Sequence, residues 1–365
     1  MLLGRDSYMK KRNYTISFLK FIFSIFIVIY HCQFLFNKIR GFVLFKRGYL
    51  AVEFFFIVSG YYFMSSIEKD EKSKKDIFLL NVKNTFNKLK KFLPITIIAW
   101  MMTCLIGYFL KSLKISEMLL SIYNGLLIGM VGIGHNLNVP IWYLSASLIT
   151  MFILYPIIRA NKKRYIYYVA PLIVLFVLGY TYRHYTSLDL TIYSSNNLFY
   201  SGMLRCIAEL NIGIIIYEFI KWFNKFLKKI NDSNKIKKIK IIMQIFEIIL
   251  YVAIFLFMLL AGTKSRVDYV LLLCIICATT ISLSQQTYIN KLLSHKIIIY
   301  LEQLSLYIYV NQQIIIFNLK AWLKNNTLGY YKSIVLVLLS TIIFSVIEYG
   351  IIKRIKKKKI INNIK

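Results

Sequence analysis

Long apolar runs alternate along the chain with short, basic connections. The runs fall at about 15–36, 48–66, 92–110, 117–133, 141–158, 166–181, 199–220, 241–261, 268–284, 297–318 and 332–353. A bilayer crossing takes about 20 mostly apolar residues in an α-helix. The pattern therefore predicts an all-α integral membrane protein in which spans fill most of the chain and no large extramembrane domain fits. Eleven crossings would put the termini on opposite sides, yet both ends are basic, with Lys10, Lys11 and Arg12 at one and Lys356 to Lys359 at the other. The glycine-rich run 117–133 is short and carries Asn124, which suits a re-entrant or interfacial segment better than a span. About ten crossings then remain, with both termini cytoplasmic. Of the 47 lysines and arginines, that arrangement puts 33 inside and 12 outside, leaving Lys20 and Arg205 within spans; the bias obeys the positive-inside rule. The two sizeable hydrophilic connections are 67–91 and 221–240.

Composition sharpens this picture in two places. Hydrophobic residues make up 58% of the chain and the formal net charge is +32. With no basic face on a soluble module, the charge reads as positive-inside topology and contact with anionic lipid, not as nucleic-acid binding. Cys32, Cys104, Cys206, Cys274 and Cys277 all lie in apolar runs. The CxxC of Cys274 and Cys277 reads as small packing residues, so no metal site is expected. No cleavable signal sequence is expected, because the first apolar run is long enough to stay as a helix. No phosphate-binding glycine loop, nucleophile elbow or zinc-protease motif is present. The expected organisation is one transmembrane domain over 1–365.

Ionisable groups inside spans cost about 2.5–3.5 kcal/mol on insertion scales and so mark candidate chemistry. Lys20 and His31 lie eleven residues apart, about three helical turns, and share one face of the first span with Ser24. Glu53 lies at a similar depth in the second, antiparallel span. A carboxylate beside His31 would fix its tautomer and raise its basicity, as a general base requires; a hydrogen bond that merely ties two helices together is the other reading. Lys20 also has two readings, as a site residue or as a side chain snorkelling to the cytoplasmic interface. Arg205 and Glu209 can pair at i,i+4, as a clamp or as part of a site. The span 297–318 carries Glu302, Gln303, Ser305, Tyr307, Tyr309, Asn311, Gln312 and Gln313, too polar to face lipid all round. Glu348 reads as structural, and His135, His184 and His295 as loop histidines without a visible partner.

In this order the residues resemble the membrane-bound acyltransferase 3 family, over about 12–353. The first helix of that family carries a basic residue, ten others and a histidine, as Lys20 to His31 does. Its second helix is similar to "GYLAVEFFFIVSGYY", from Gly48 to Tyr62, with Glu53 in place of the aspartate and Ser59–Gly60 closing the motif. A basic pair precedes the third helix, here Lys88 and Lys91 instead of arginines. The tryptophan motif is similar to "WYLSASLITMFILYP", from Trp142 to Pro156 and including Ser145. Arg205 and Glu209, followed by Gly213, match an R-x-x-x-E pair. Late in the chain "LSLYIYVNQ" resembles the pattern I-S-Y-x-x-Y-L-x-H, and Asn311 is expected where many members have histidine.

The resemblance implies a bacterial cell-membrane enzyme that moves an acyl group, most often acetyl, from cytoplasmic acyl-CoA. The acceptor would be a hydroxyl of a surface glycan or lipid-linked saccharide. It implies His31 and Glu53 as catalytic residues, and Lys20, Lys88 and Lys91 as phosphate-binding residues. Ser59, Gly60, Trp142, Ser145, Arg205, Glu209, Ser305, Tyr309 and Asn311 would bind substrate or shape the site. No tightly bound cofactor is implied beyond acyl-CoA as co-substrate. Transport of a small polar solute or lipid-linked sugar is the competing reading, because some relatives of the fold serve transport and the polar span 297–318 would suit a translocation path.

Overall fold

The computed structural model describes residues 12–36, 41–71, 76–131, 137–190, 200–262, 264–323 and 328–362, and their regular structure is helical throughout. The long helices are α1 Tyr14–Cys32, α2 Ala51–Asp70, α3 Ile77–Phe109, α4 Trp142–Ala160, α5 Ala170–His184, α6 Ser201–Lys228, α7 Ser233–Leu260, α8 Asp268–Ser284, α9 Lys296–Leu323 and α10 Tyr330–Asn362. Among the described residues, seven helical stretches are long and apolar enough to cross a membrane: those built on α1, α2, α3, α4, α5, α7 and α10. The chain is thus an all-α integral membrane protein. α6 and α9 fall outside that set because their inward faces are polar, and α8 because it is short. The segment 115–131 is broken into helical turns at Ile115–Leu120, Ile122–Gly125 and Gly129–Val131.

Two connections are shorter than the sequence predicts. Most of 67–91 continues α2 or begins α3, and most of 221–240 belongs to α6 and α7. The reason is local. The Asp76 side chain accepts from the Phe78 and Leu79 amides, and that of Asp232 from the Asn234 and Lys235 amides. These N-caps satisfy first-turn donors and let the helices start before the apolar stretch does. α3 consequently runs 33 residues, about 50 Å at 1.5 Å per residue, well beyond a hydrocarbon core of about 30 Å.

α2 and α4 are the most deeply buried spans, whereas α5, α7 and α10 lie at the periphery. α2 seats on α6 through two glycines. A Cβ on Gly60 would stand 2.1 Å from the Leu210 carbonyl oxygen, and one on Gly213 would stand 2.1 Å from that of Ile57. No side chain fits in either place, so the backbones touch, as small residues allow between helices in lipid. α1 packs along α9 in parallel: Lys20 pairs with Glu302 near one end and His31 meets Gln312 near the other. These two rungs are eleven residues apart on α1, about 16 Å along its axis.

Candidate active site

The α2–α6 seam fixes the buried charges first. Glu53 is seven residues, two turns, from Gly60, and Arg205, Glu209 and Gly213 recur every four residues on α6; both sets therefore face the seam. Arg205 Nε donates to Glu53 Oε2 at 2.7 Å and lies 3.5 Å from Glu209 Oε1. Its other nitrogens donate to the Tyr49 carbonyl at 2.9 Å and the Leu190 carbonyl at 3.3 Å. All three side chains are buried. This corrects the expected His31–Glu53 pair: the glycine seating turns Glu53 toward α6, while His31 faces α9.

His31 meets Gln312 instead, with Nδ1 2.9 Å from Gln312 Oε1. The amide orientation follows from its other end, because Gln312 Nε2 donates to the Tyr309 carbonyl at 2.8 Å. Gln312 therefore offers His31 an acceptor, so Nδ1 carries the proton and Nε2 keeps its lone pair. Counted residue by residue, the late nine-position pattern also ends on Gln312, not on Asn311. Asn311 donates to Glu348 Oε2 at 2.6 Å and Ser345 Oγ at 3.3 Å, both on α10. One helical step of about 100° separates a residue facing α1 from one facing α10, so Asn311 joins two helices and lines neither of the cavities described next.

Two cavities of similar size flank this level. The first, about 610 Å³, is basic: Arg12, Lys20, Lys88, Lys91 and Lys356 line it, with Ser59, Ser305 and Tyr309 among its other walls. Glu302 lies in it too and accepts from Lys20 at 2.8 Å, Arg12 at 2.5 Å and Ser17 at 2.7 Å. Lys20 is thus an ion-paired member of the cavity. Lys88 and Lys91 form no ion pair with a carboxylate among the described residues; Lys88 lies 5.1 Å from the Phe63 ring centroid and contacts Met151 Sδ at 2.6 Å. Ser59 Oγ is 2.9 Å from the Tyr143 hydroxyl, which also reaches the Phe55 carbonyl.

The second cavity, about 550 Å³, holds His31 together with Tyr30, Trp142, Asp189, Arg205 and Lys320, and Tyr309 again closes one side. The Arg205 guanidinium lies 5.9 Å from the Trp142 ring centroid, so the buried cluster reaches this cavity through its cation. Asp189 accepts from the Tyr30 hydroxyl at 2.9 Å and pairs with Lys264.

The structure therefore brings Lys20, Lys88, Lys91, Ser59 and Ser305 to one cavity, His31, Trp142 and Arg205 to the other, and Tyr309 to both. Glu53, Gly60 and Glu209 belong to the seam. Ser145 Oγ accepts from the Met130 amide at 3.2 Å and ties the 129–131 turn to α4 instead of facing a cavity. Gln312 and Glu302 carried a sequence signal as polar residues of one span, but nothing there assigned their partners. Arg12, Lys356 and Asp189 had only charge to mark them. His184 stacks on Tyr180, with centroids 4.3 Å apart, and His135 lies outside the described residues.

The acyltransferase 3 family, whose profile is described as an acyltransferase domain, matches residues 13–349. The chain belongs to this family and is a membrane acyltransferase. Searches of curated proteins and of solved structures returned no match.

Proposed function

We propose that the chain moves an acyl group, acetyl in the first instance, from cytoplasmic acyl-CoA to a hydroxyl of an extracytoplasmic glycan or lipid-linked sugar at the bacterial cell membrane. The observation that carries this reading is the pair of cavities on either side of Tyr309, one lined by cations and the other holding His31. The basic cavity fits the cytoplasmic face by the positive-inside rule. Lys88 and Lys91 are the cations free to meet phosphates; as point charges they lack the planar fork of arginine and grip less specifically. Lys20 and Arg12 sit beside them, both bonded to Glu302. A donor whose charged end and thioester are separated by a long flexible arm fits a site whose cations and base are stacked along the helix axis.

In the reaction, His31 Nε2 takes the proton from the acceptor hydroxyl as its oxygen attacks the thioester carbonyl carbon. The C–S bond then breaks, and the departing thiolate receives that proton from the imidazolium. Gln312 keeps Nδ1 protonated, so the lone pair stays on the ring nitrogen away from the helix pair.

The test is acyl transfer by membranes carrying the wild-type chain or His31→Ala, with radiolabelled acetyl-CoA supplied and label counted in the envelope glycan fraction. The expected loss in His31→Ala, at equal expression, is about 10²- to 10⁴-fold. Equal labelling by both would remove His31 from the chemistry and leave the transport reading of the same two cavities.

A further inference from the structure

Tyr309 is the residue that both cavities share, and it does not stand alone. Its ring centroid lies 5.7 Å from that of Tyr143 and 6.2 Å from that of Phe55, while Phe55 and Tyr143 are 6.0 Å apart. The three rings come from α9, α4 and α2, and each touches the other two. Centroid separations of about 4.5–7 Å are contact distances for aromatic pairs, so no gap for a chain of atoms is left among them. All three wall the basic cavity, and Tyr309 is the one of them that also lines the His31 cavity.

The three rings are held unequally. The Tyr143 hydroxyl is tied to Ser59 Oγ and the Phe55 carbonyl, which fixes its ring. Phe55 lies in the first turns of α2, the helix seated on α6 by glycines. The Tyr309 hydroxyl makes no hydrogen bond among the described residues, although its ring is nearly buried at 5% exposure. A phenol in that condition gives up only packing when it turns, and Tyr309 alone of the three lines both cavities, so it is the leaf whose turning joins them.

We propose that Phe55, Tyr143 and Tyr309 form an aromatic septum between the two cavities, and that the opening made by the Tyr309 ring selects the length of the acyl group that reaches His31. This rests on the acyltransferase reading with the donor in the basic cavity. A two-carbon acyl group passes the space vacated by one turned ring. Each further methylene must also displace Tyr143, whose hydroxyl is tied on two sides, and discrimination by a methylene in a closely packed site runs to about 10–200-fold. The septum also keeps the two cavities from joining into a water path while no donor is bound.

Acetyl-, butyryl- and hexanoyl-CoA, offered to membranes carrying the wild type, Tyr309→Ala and Tyr309→Phe, test the selection, with label again read in the envelope glycan fraction. Tyr309→Ala is expected to raise the hexanoyl-to-acetyl ratio of kcat/KM at least about tenfold, whereas Tyr309→Phe, which keeps the ring, holds the wild-type ratio. A folded Tyr309→Ala with an unchanged ratio overturns the proposal; should that variant not fold, Phe55→Ala, which opens the same septum from α2, is read in its place.

A second readout needs no catalysis. In proteoliposomes of Ser66→Cys, which lines the basic cavity without holding any of the three rings, a membrane-impermeant maleimide is added on the side of the His31 cavity, and the peptide carrying residue 66 is analysed by mass spectrometry. The septum predicts no label at 66 in the otherwise wild-type chain and labelling when Tyr309→Ala is added. Labelling in both, or in neither, overturns it. Failure of the wild type to transfer any acyl group would strike at the acyltransferase reading, while the labelling experiment would still decide the septum.

Discussion

The α2–α6 seam and the α1–α9 pair both carry charged and polar groups through the bundle, but they treat them in opposite ways. Across α2–α6 the backbones touch at Gly60 and Gly213, and the one guanidinium there, on Arg205, is spent on Glu53, Glu209 and two carbonyls, while Glu53 Oε1 and both Glu209 oxygens find no hydrogen-bond partner among the described residues. Along α1–α9 the helices part into cavities at both levels. Each rung has capacity to spare: the Lys20–Glu302 rung beside the unpaired Lys88 and Lys91, and the His31–Gln312 rung with a bare Nε2. The spare acceptors of Glu53 and Glu209 are shut in between two touching helices and line neither cavity, whereas the spare groups of the α1–α9 rungs border open space. The contrast teaches that access, more than the amount of buried charge, separates the frame from the place where chemistry can occur.

The strongest way to break this contrast is to force the seam apart. Gly213→Leu would drive a side chain into the Ile57 carbonyl and the Tyr61 amide, and neither can yield because both are backbone. The expected destabilisation exceeds about 4 kcal/mol, the range reserved for gross packing failures. Size-exclusion chromatography in detergent should show loss of the monodisperse folded peak. A well-folded Gly213→Leu would mean that α2 and α6 do not touch as described.

A smaller effect is expected where charge is spare. Lys88→Ala and Lys91→Ala each remove one cation from the basic cavity without stranding a carboxylate, so the fold should persist. A charge-assisted contact contributes about 1.5–3 kcal/mol, so each substitution should raise KM for acyl-CoA roughly tenfold or more. An interaction made equally in ground and transition states leaves kcat unchanged. Lys20→Ala differs in kind, because it leaves Glu302 with one fewer partner. If Lys88→Ala lowered kcat at unchanged KM, Lys88 would be acting at the reacting end of the donor and the assignment of its cavity would be wrong.

The sequence revealed the helical architecture, the placing of ionisable groups inside spans and the family, because each rests on patterns local to one helix or on fixed spacing. It did not reveal which helices face one another. His31 and Glu53 stood at matching depth on consecutive spans, and depth alone suggested a pair. Azimuth decided otherwise, and azimuth depended on Gly60 and Gly213, whose role as a contact is invisible until two helices are placed together. The choice between Asn311 and Gln312 turned on a single helical step. The two cavities were not legible at all, since each draws residues from several helices distant in sequence. Tyr309 could be named from its motif as shaping the site, but not as the wall between two spaces.

The finest test of the contrast is the His31–Gln312 rung, where the spare nitrogen facing the cavity rests on one hydrogen bond. Gln312→Leu removes the acceptor that holds the proton on Nδ1 and leaves the Tyr309 carbonyl without its side-chain donor. The imidazole can then place its proton on Nε2, the nitrogen that has to be free. The wrong tautomer removes a group that acts in the transition state, so kcat should fall about tenfold while KM for either substrate stays near the wild-type value. Gln312→Glu supplies an acceptor in the same place and should retain more of the rate than Gln312→Leu. A merely structural role for Gln312 predicts instead that both variants lose folded protein together and that the surviving enzyme turns over normally. Steady-state kinetics on folded, quantified protein separates the two. Equal kcat in wild type and Gln312→Leu would show that His31 does not depend on its neighbour, and that the free nitrogen is set by the substrate and not by the helix pair.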